Sequence, residues 1–468
     1  MVIPLFMLSH FCVRISVIIN NGEVMIKQVL TNILAGVVAG IFIGGCASMP
    51  PCPVVVESGD SAAEKTISAE AESAEFHEPV GVLAVEDALS AALLRNPQLA
   101  AYSFGVRAAE ARIMQSRALP NPGVVVGVSE YDRGGAGYDS AETSLTLGQL
   151  FELGGKRRWR MRVAEAKGEL AGWDYEEIKL AVFGETASRF MAVAAGQERV
   201  ELAKAAEVLA VKTDRAVSER VNAGKEPPFH ASKSSAELGI ARMEVMQAEN
   251  NLKVARKRLA AMWGGRRASF EKVKVDFENI SKDVPSLESM LLKVSQNPAL
   301  ARQTAELRLR KAFLASEKAA RVPDLHAFVG VQYFQEDSSD ALSFGVGLPL
   351  PLFDRNRGNI AAAENAVRKA EEEQMAVAMR VETELSEAHS TLLSSYQRVE
   401  AVRTKVVPAM KQAFEAASEG YAQGKFGFLD MLDAQRGVVE ANGLLIDALS
   451  DYHKALIDIQ RITGSGIK

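Results

Sequence analysis

Beyond position 52 the chain has no cysteine at all. Its three thiols, Cys12, Cys46 and Cys52, lie near the N-terminus, so nothing downstream can form a disulfide or a thiolate metal site. The six histidines, at 10, 77, 230, 326, 389 and 453, are scattered without metal-ligand spacing. No metal site and no cofactor is expected. A surplus of one charge is missing as well: 54 basic against 59 acidic residues leave a net charge of -5, which offers a nucleic acid nothing to hold. Aromatic residues make up only 6%, a level that suits long Ala-rich helices better than a compact globular core. The Gly-rich run Gly134-Gly135-Ala136-Gly137 falls between two strand patterns instead of opening a helix, so it reads as a hairpin loop and not as a phosphate cradle. No enzymatic constellation is found, and the chain is not expected to be an enzyme.

What is present begins with a leader. Lys27 is followed by an apolar run that ends in small residues, the build of a secretory signal over residues 26–46. The run is too short and wrongly flanked for a membrane span. Its ending, Ile43-Gly44-Gly45-Cys46, resembles a bacterial lipobox, in which the cysteine is lipidated and becomes the mature N-terminus. An ordinary signal peptide cleaved nearby is the alternative. Ala47 in place of an aspartate is, by resemblance to bacterial lipoproteins, the form sorted to the outer membrane. Because Met25 opens a well-formed signal, residues 1–24 read as an upstream extension. Residues 47–81 are rich in Ser, Ala, Glu and Pro with no apolar period and read as a flexible tether.

The remainder is a duplication. Leu238, Ala241, Val245, Ala248, Leu252, Ala255, Leu259 and Met262 form a seam at alternating spacings of three and four, and each has a counterpart 200 residues later, at Val438, Ala441, Leu445, Ala448, Tyr452, Ala455, Ile459 and Ile462. Alanines along the seam let neighbouring helices approach closely, so many could close side by side into a tube. Asn96-Pro97 is matched by Asn297-Pro298, and Leu119-Pro120-Asn121-Pro122 by Val322-Pro323-Asp324. After each of these later stops the period changes from helical to two, with strands expected at about 123–131, 143–150, 325–334 and 341–348. A small soluble sheet packed on a helix is one reading of them. The other is a membrane wall, because eight to ten residues is about what a tilted strand needs to cross a bilayer. Four strands cannot close a membrane barrel, whose smallest form has about eight, whereas three copies supply twelve. Each strand pair hands over to a helical hairpin, at about 155–263 and 357–463, with long arms of roughly 90 to 100 Å at about 1.5 Å per residue. Pro408 is expected to kink or interrupt the second arm. The layout is a first repeat over 82–264, a linker over 265–285 and a second repeat over 286–468.

These marks together resemble the TolC family of bacterial outer-membrane efflux proteins, and within it the CzcC-like members of heavy-metal efflux systems. The resemblance rests on both Asn-Pro pairs, on Leu153-Gly154-Gly155-Lys156-Arg157 with Pro349-Leu350-Pro351-Leu352-Phe353-Asp354, and on Gly420-Tyr421-Ala422-Gln423-Gly424 followed by Phe428-Leu429-Asp430-Met431-Leu432-Asp433-Ala434-Gln435. It implies a mainly α fold with a transmembrane β part, internally duplicated. Three chains would form a twelve-stranded barrel in outer-membrane lipid, continued by an α-helical coiled-coil barrel through the periplasm. The partners it implies are a periplasmic adaptor and an inner-membrane RND-type pump, and the cargo divalent heavy-metal cations. A drug pump or a type I secretion system would use the same duct. A periplasmic coiled-coil adaptor or scaffold without a pore is the alternative of a different class.

The resemblance also implies site residues. Asp430 and Asp433, three apart on one helical face, match the family's aspartates at the periplasmic aperture, where three chains would set six carboxylates around one opening. Acids favoured at a helix start by capping and dipole are the plainer reading. Tyr421 matches a tyrosine that latches the closed tip, but Phe426 stands where the family has a basic latch residue and His230 where it has the partner aspartate. Gly224 and Gly424 match the tip glycines that meet the adaptor, or serve simply as turn glycines.

Overall fold

A computed structural model of the chain describes residues 78–129, 141–281, 284–295 and 297–464. Cys46 with its leader and the Gly134–Gly137 run lie outside the described residues. The first repeat comprises β1 (Gly81–Leu83), α1 (Val85–Arg95), α2 (Pro97–Ser116), β2 (Gly123–Ser129), β3 (Glu142–Phe151), α3 (Lys156–Asn222) and α4 (Pro228–Ala260), followed by a 3-10 turn at Ala261–Trp263 and by β4 (Phe270–Val273). The second comprises α5 (Leu287–Val294), α6 (Pro298–Ala320), β5 (Leu325–Phe334), β6 (Ser339–Gly347), α7 (Arg357–Ala401), a π-helical segment at Val402–Val406, α8 (Val407–Ala422) and α9 (Phe428–Thr463).

The two Asn-Pro pairs do more than stop a helix. Asn96, buried, accepts hydrogen bonds at Oδ1 from the Gln98 and Leu99 amides (2.9 and 3.2 Å) and caps α2, while its Nδ2 donates to the Met262 carbonyl at 2.9 Å. Asn297 does the same one repeat later, accepting from the Ala299 amide at 2.8 Å and donating to the Ile462 carbonyl at 2.7 Å. Proline fits beside each cap because the first helical position needs no amide donor. Each asparagine thus fixes the start of one helix to the far end of another. Asn96→Ala or Asn297→Ala is expected to cost about 2 to 4 kcal/mol, a lost cap plus a buried carbonyl left unpaired, read as a lowered unfolding midpoint in detergent.

The core surrounds the middle of α3, the C-terminal half of α7 and the C-terminal ends of α4 and α9. It gathers Leu83 from β1, Phe190 and Val193 from α3, Leu259 from α4, Phe270 from β4, Leu385 from α7, and Ala448 and Tyr452 from α9. β1 pairs with β4 in parallel, Gly81 opposite Phe270 and Leu83 opposite Val273. The stretch expected as a linker thus carries a strand, β4, which β1 joins from the start of the first repeat. That linker is held down by side chains. Gln197 bonds both the amide and the carbonyl of Val273 (2.8 and 3.2 Å), Tyr452 Oη accepts from the Ser281 amide at 3.1 Å, and His453 Nε2 meets the Phe277 carbonyl at 2.9 Å. Burial lowers the His453 pKa and favours the neutral ring.

The duplicated seams are buried unequally. On α9, Ala448, Tyr452, Ala455, Ile459 and Ile462 are all buried, because α3 lies on one flank and α7 with α8 on the other. On α4 the seam residues Val245, Ala248 and Ala255 are only half-buried, since α3 is its chief neighbour among the long helices.

The four-stranded sheet runs β2-β3-β5-β6, antiparallel throughout, and β3 against β5 joins the two repeats. Register places Val126, Leu145, Val331 and Leu342 in one row and Val124, Leu147, Val329 and Phe344 in the next, all on one face. The opposite face presents Gly127, Ser144, Thr146, Gly330, Gln332 and Ser343, with Val125 and Phe328 among them. Val126 is 68% exposed and Phe344 81%, so among the described residues no helix covers the apolar face, which speaks against a small sheet packed on a helix. Among the described residues no helix is long and apolar enough to cross a membrane.

Pro408 does not end its helix. With no amide to offer the carbonyl four residues back, it is accommodated by the wider π turn at Val402–Val406, and helix resumes at Val407. The first repeat has Val208 at the corresponding place, and α3 runs unbroken for 67 residues, about 100 Å at 1.5 Å per residue.

Candidate functional site at the helical tips

The helical hairpins reverse at two loops of one design. Lys225 and Lys425 amides reach back to the carbonyls of Arg220 and Gly420 (2.9 and 2.7 Å), and those of Gly224 and Gly424 to Val221 and Tyr421 (2.9 and 3.0 Å). Gly224 and Gly424 have φ of +70° and +75°, a region where side-chain-bearing residues are strained. Both glycines are exposed, with open space around the position a Cβ would take.

Asp430 lies in the first turn of α9, and its Oδ2 accepts from the Gly427 amide at 3.0 Å, capping the helix. Asp433 stands one turn on, along the same face, and both acids are exposed. The capping role is therefore present in the geometry, and the charge also faces solvent.

Tyr421 is 3% exposed and sits in a small tip core with Val217, Phe428, Met431 and Leu432. Its charged neighbours come from the other repeat. Arg220, in the last turn of α3, donates from Nη1 to the Tyr421 carbonyl at 2.8 Å and lays its guanidinium 4.6 Å from the centre of the Tyr421 ring. Glu226 stands 3.5 Å from Arg220 Nε and 2.6 Å from His230 Nδ1. His230 in turn lies against the rings of Phe229 and Phe428, with centroids 4.4 and 5.2 Å away. Burial first, and then the neighbouring Glu226 carboxylate, push the pKa of the Tyr421 hydroxyl up. His230 thus holds Glu226 and not the tyrosine. Phe426 lies over Gly420, where a Cβ would run into its ring, so it packs within its own tip. Below the cluster Thr213 donates to Gln435 Oε1 at 2.8 Å and Arg436 pairs with Glu237, which ties the two hairpins together further.

Arg220 and Glu226 escaped the sequence reading. Their counterparts 200 residues on are Gly420 and Phe426, and that broken symmetry was the available signal. Among the described residues no cluster of three His, Cys, Asp or Glu could hold a metal ion.

The family described as outer membrane efflux protein matches residues 88–265 and again 292–465. The cobalt-zinc-cadmium resistance protein CzcC of Cupriavidus metallidurans is 32% identical over 387 residues, 83% of this chain and 91% of that protein. The nickel-cobalt-cadmium resistance protein NccC of Alcaligenes xylosoxydans xylosoxydans is 26% identical over 318 residues, 67% of this chain and 69% of that one. The crystal structure of the outer membrane protein VceC from Vibrio cholerae matches with a TM-score of 0.70 at 20% identity, covering 82% of this chain and 97% of the other, and so shares the fold. The TolC-like, internally duplicated architecture, matched once in each repeat, means that this chain belongs to the outer membrane efflux protein family.

Proposed function

We propose that three copies of this chain assemble into a passive exit duct of a tripartite efflux system. One observation carries the reading: among the described residues the two-faced sheet leaves both its edges, β2 and β6, unpaired, and it continues directly into helices of about 100 Å. Three sheets joined edge to edge give twelve strands with the Val-Leu-Phe face toward lipid and the Gly-Ser-Thr face toward a water-filled lumen. No chemistry on the cargo is needed, and energy comes from an inner-membrane RND-type pump. A periplasmic adaptor meets the tips at Gly224 and Gly424, and the carboxylates of Asp430 and Asp433 ring the aperture. Lipidation of Cys46 adds a second hold on the outer membrane.

The cargo we assign is divalent heavy-metal cations, supported by the resistance named in CzcC and NccC. Deleting the gene in its host is expected to raise sensitivity to at least one of zinc, cobalt, nickel, cadmium and copper. Unchanged tolerance to all five would defeat the metal assignment, and new drug sensitivity or a lost secreted protein would transfer the duct to that cargo.

A further inference from the structure

We infer that residues 348–356, the strap between β6 and α7, bind the periplasmic leaflet of the membrane. Leu348, Leu350, Leu352 and Phe353 enter its acyl boundary, and Arg355 and Arg357 hold the phosphates of anionic phospholipids. This rests on the channel reading above and adds to it a lipid site outside the sheet. Three observations carry it. The first is a break in the duplication. β3 passes into α3 through four residues, 152–155, whereas β6 passes into α7 through nine, 348–356. The longer passage prolongs the pattern of the strand: Leu342, Phe344 and Val346 are followed by Leu348, Leu350 and Leu352, beyond Gly347, the last paired residue of β6. The apolar series assigned to lipid thus runs on past the end of the sheet.

The second observation is exposure without looseness. Leu350 is 71% exposed, Leu352 62% and Phe353 99%, so among the described residues nothing covers a contiguous bulky patch. The strap is nevertheless tied down, since Asn356 Nδ2 donates to the Glu317 carbonyl at 2.9 Å and Arg355 Nε to the Pro351 carbonyl at 3.2 Å. Pro349 and Pro351 have no amide to satisfy, and the Leu352 amide reaches the Leu350 carbonyl at 2.8 Å, so this backbone asks little of water. The third observation is charge. Arg355 and Arg357 are exposed, and neither pairs with a carboxylate among the described residues; Asp354 accepts from the Asn356 amide at 2.9 Å instead. Where β3 leaves the same end of the sheet, Glu152 is taken by Arg160 and Asp324 by Lys156, while exposed Arg158 stands 5.0 Å from the Trp159 ring centre. Arginine forks match phosphate oxygens, and an apolar insert bordered by cations and an aromatic ring fits an anionic headgroup layer. Continuity with the apolar sheet face selects lipid as the occupant over a second protein.

The test uses the full chain reconstituted in vesicles of phosphatidylcholine mixed with phosphatidylglycerol, one or the other brominated near the headgroup so that it quenches adjacent tryptophan. Phe353→Trp puts the reporter where the side chain packs on nothing, and its signal is read as quenching in excess of that shown by Trp159, Trp173 and Trp263 in the wild type. Strong excess quenching is expected, reached at a several-fold lower fraction of brominated phosphatidylglycerol than of brominated phosphatidylcholine. Adding Arg355→Gln and Arg357→Gln is expected to bring the two lipids level while leaving the quenching itself in place. Leu350→Trp carries the test if Phe353→Trp does not assemble. The inference is overturned if the reporter shows no excess quenching, as under a partner protein, a second copy or open water. It is also overturned if the two lipids quench alike before the arginines are changed, or if the glutamines leave the preference intact. Val126→Trp, on the apolar sheet face, separates this from the channel reading. Escape of that reporter from both lipids would sink the membrane wall, whereas its quenching beside a silent Phe353→Trp would sink the strap alone.

Discussion

Neutralising the tip acids by Asp430→Asn together with Asp433→Asn is expected to cut the channel's preference for cations over anions several-fold. In the proposed trimer the change removes six negative charges from one opening. Asparagine preserves the shape and can still accept from the Gly427 amide, so the start of α9 keeps its cap and the difference reads charge alone. The effect should be largest in dilute electrolyte, because the screening length falls from about 30 Å at 0.01 M to about 3 Å at 1 M salt. Reversal potentials across a salt gradient measure it directly. Identical reversal potentials at low salt would leave Asp430 as a helix cap and Asp433 as a solvated side chain.

Phe190→Ala is expected to destabilise the protein by about 3 to 5 kcal/mol, the cost of emptying a closed aromatic site in a packed core. Phe190 is 0% exposed, in the cluster that joins β1, β4, α1, α3, α4, α7 and α9. Here the two repeats and the connecting linker share one interior. Thermal unfolding in detergent checks it, with Leu94→Ala at an exposed position of α1 as the comparison, expected to stay within about 0.5 kcal/mol. A shift no larger than that of Leu94→Ala would mean that the middle of the molecule is not where its stability resides.

Much of the architecture was open to reading because it rests on local periodicity repeated twice. The seams at 238–262 and 438–462, the Asn-Pro pairs and the alternation at 341–348 each need only a few neighbouring residues to be recognised. The pairing of β1 with β4 was not, since it joins strands of three and four residues some 190 positions apart, too short to display a period. The second function of Asn96 and Asn297 was hidden for the same reason: the cap is local, whereas the bond to Met262 or Ile462 spans more than 160 residues. At the tip, family matching pointed to positions 426 and 230. Neighbours in space, Arg220 and Glu226, depend on how one hairpin leans on the other, which no spacing encodes. The unequal burial of the seams likewise reflects position in the helical row, with α9 inside it and α4 at its margin.

The π turn ahead of Pro408 makes the halves mechanically unlike. α3 is a continuous beam, while its twin is two beams joined at a widened coil whose hydrogen-bond ladder is interrupted. Under load, curvature collects at the softer place, so Tyr421, in α8, rides on the jointed arm and Arg220 on the stiff one. A single proline thus turns one of two like struts into a jointed one and leaves the other rigid.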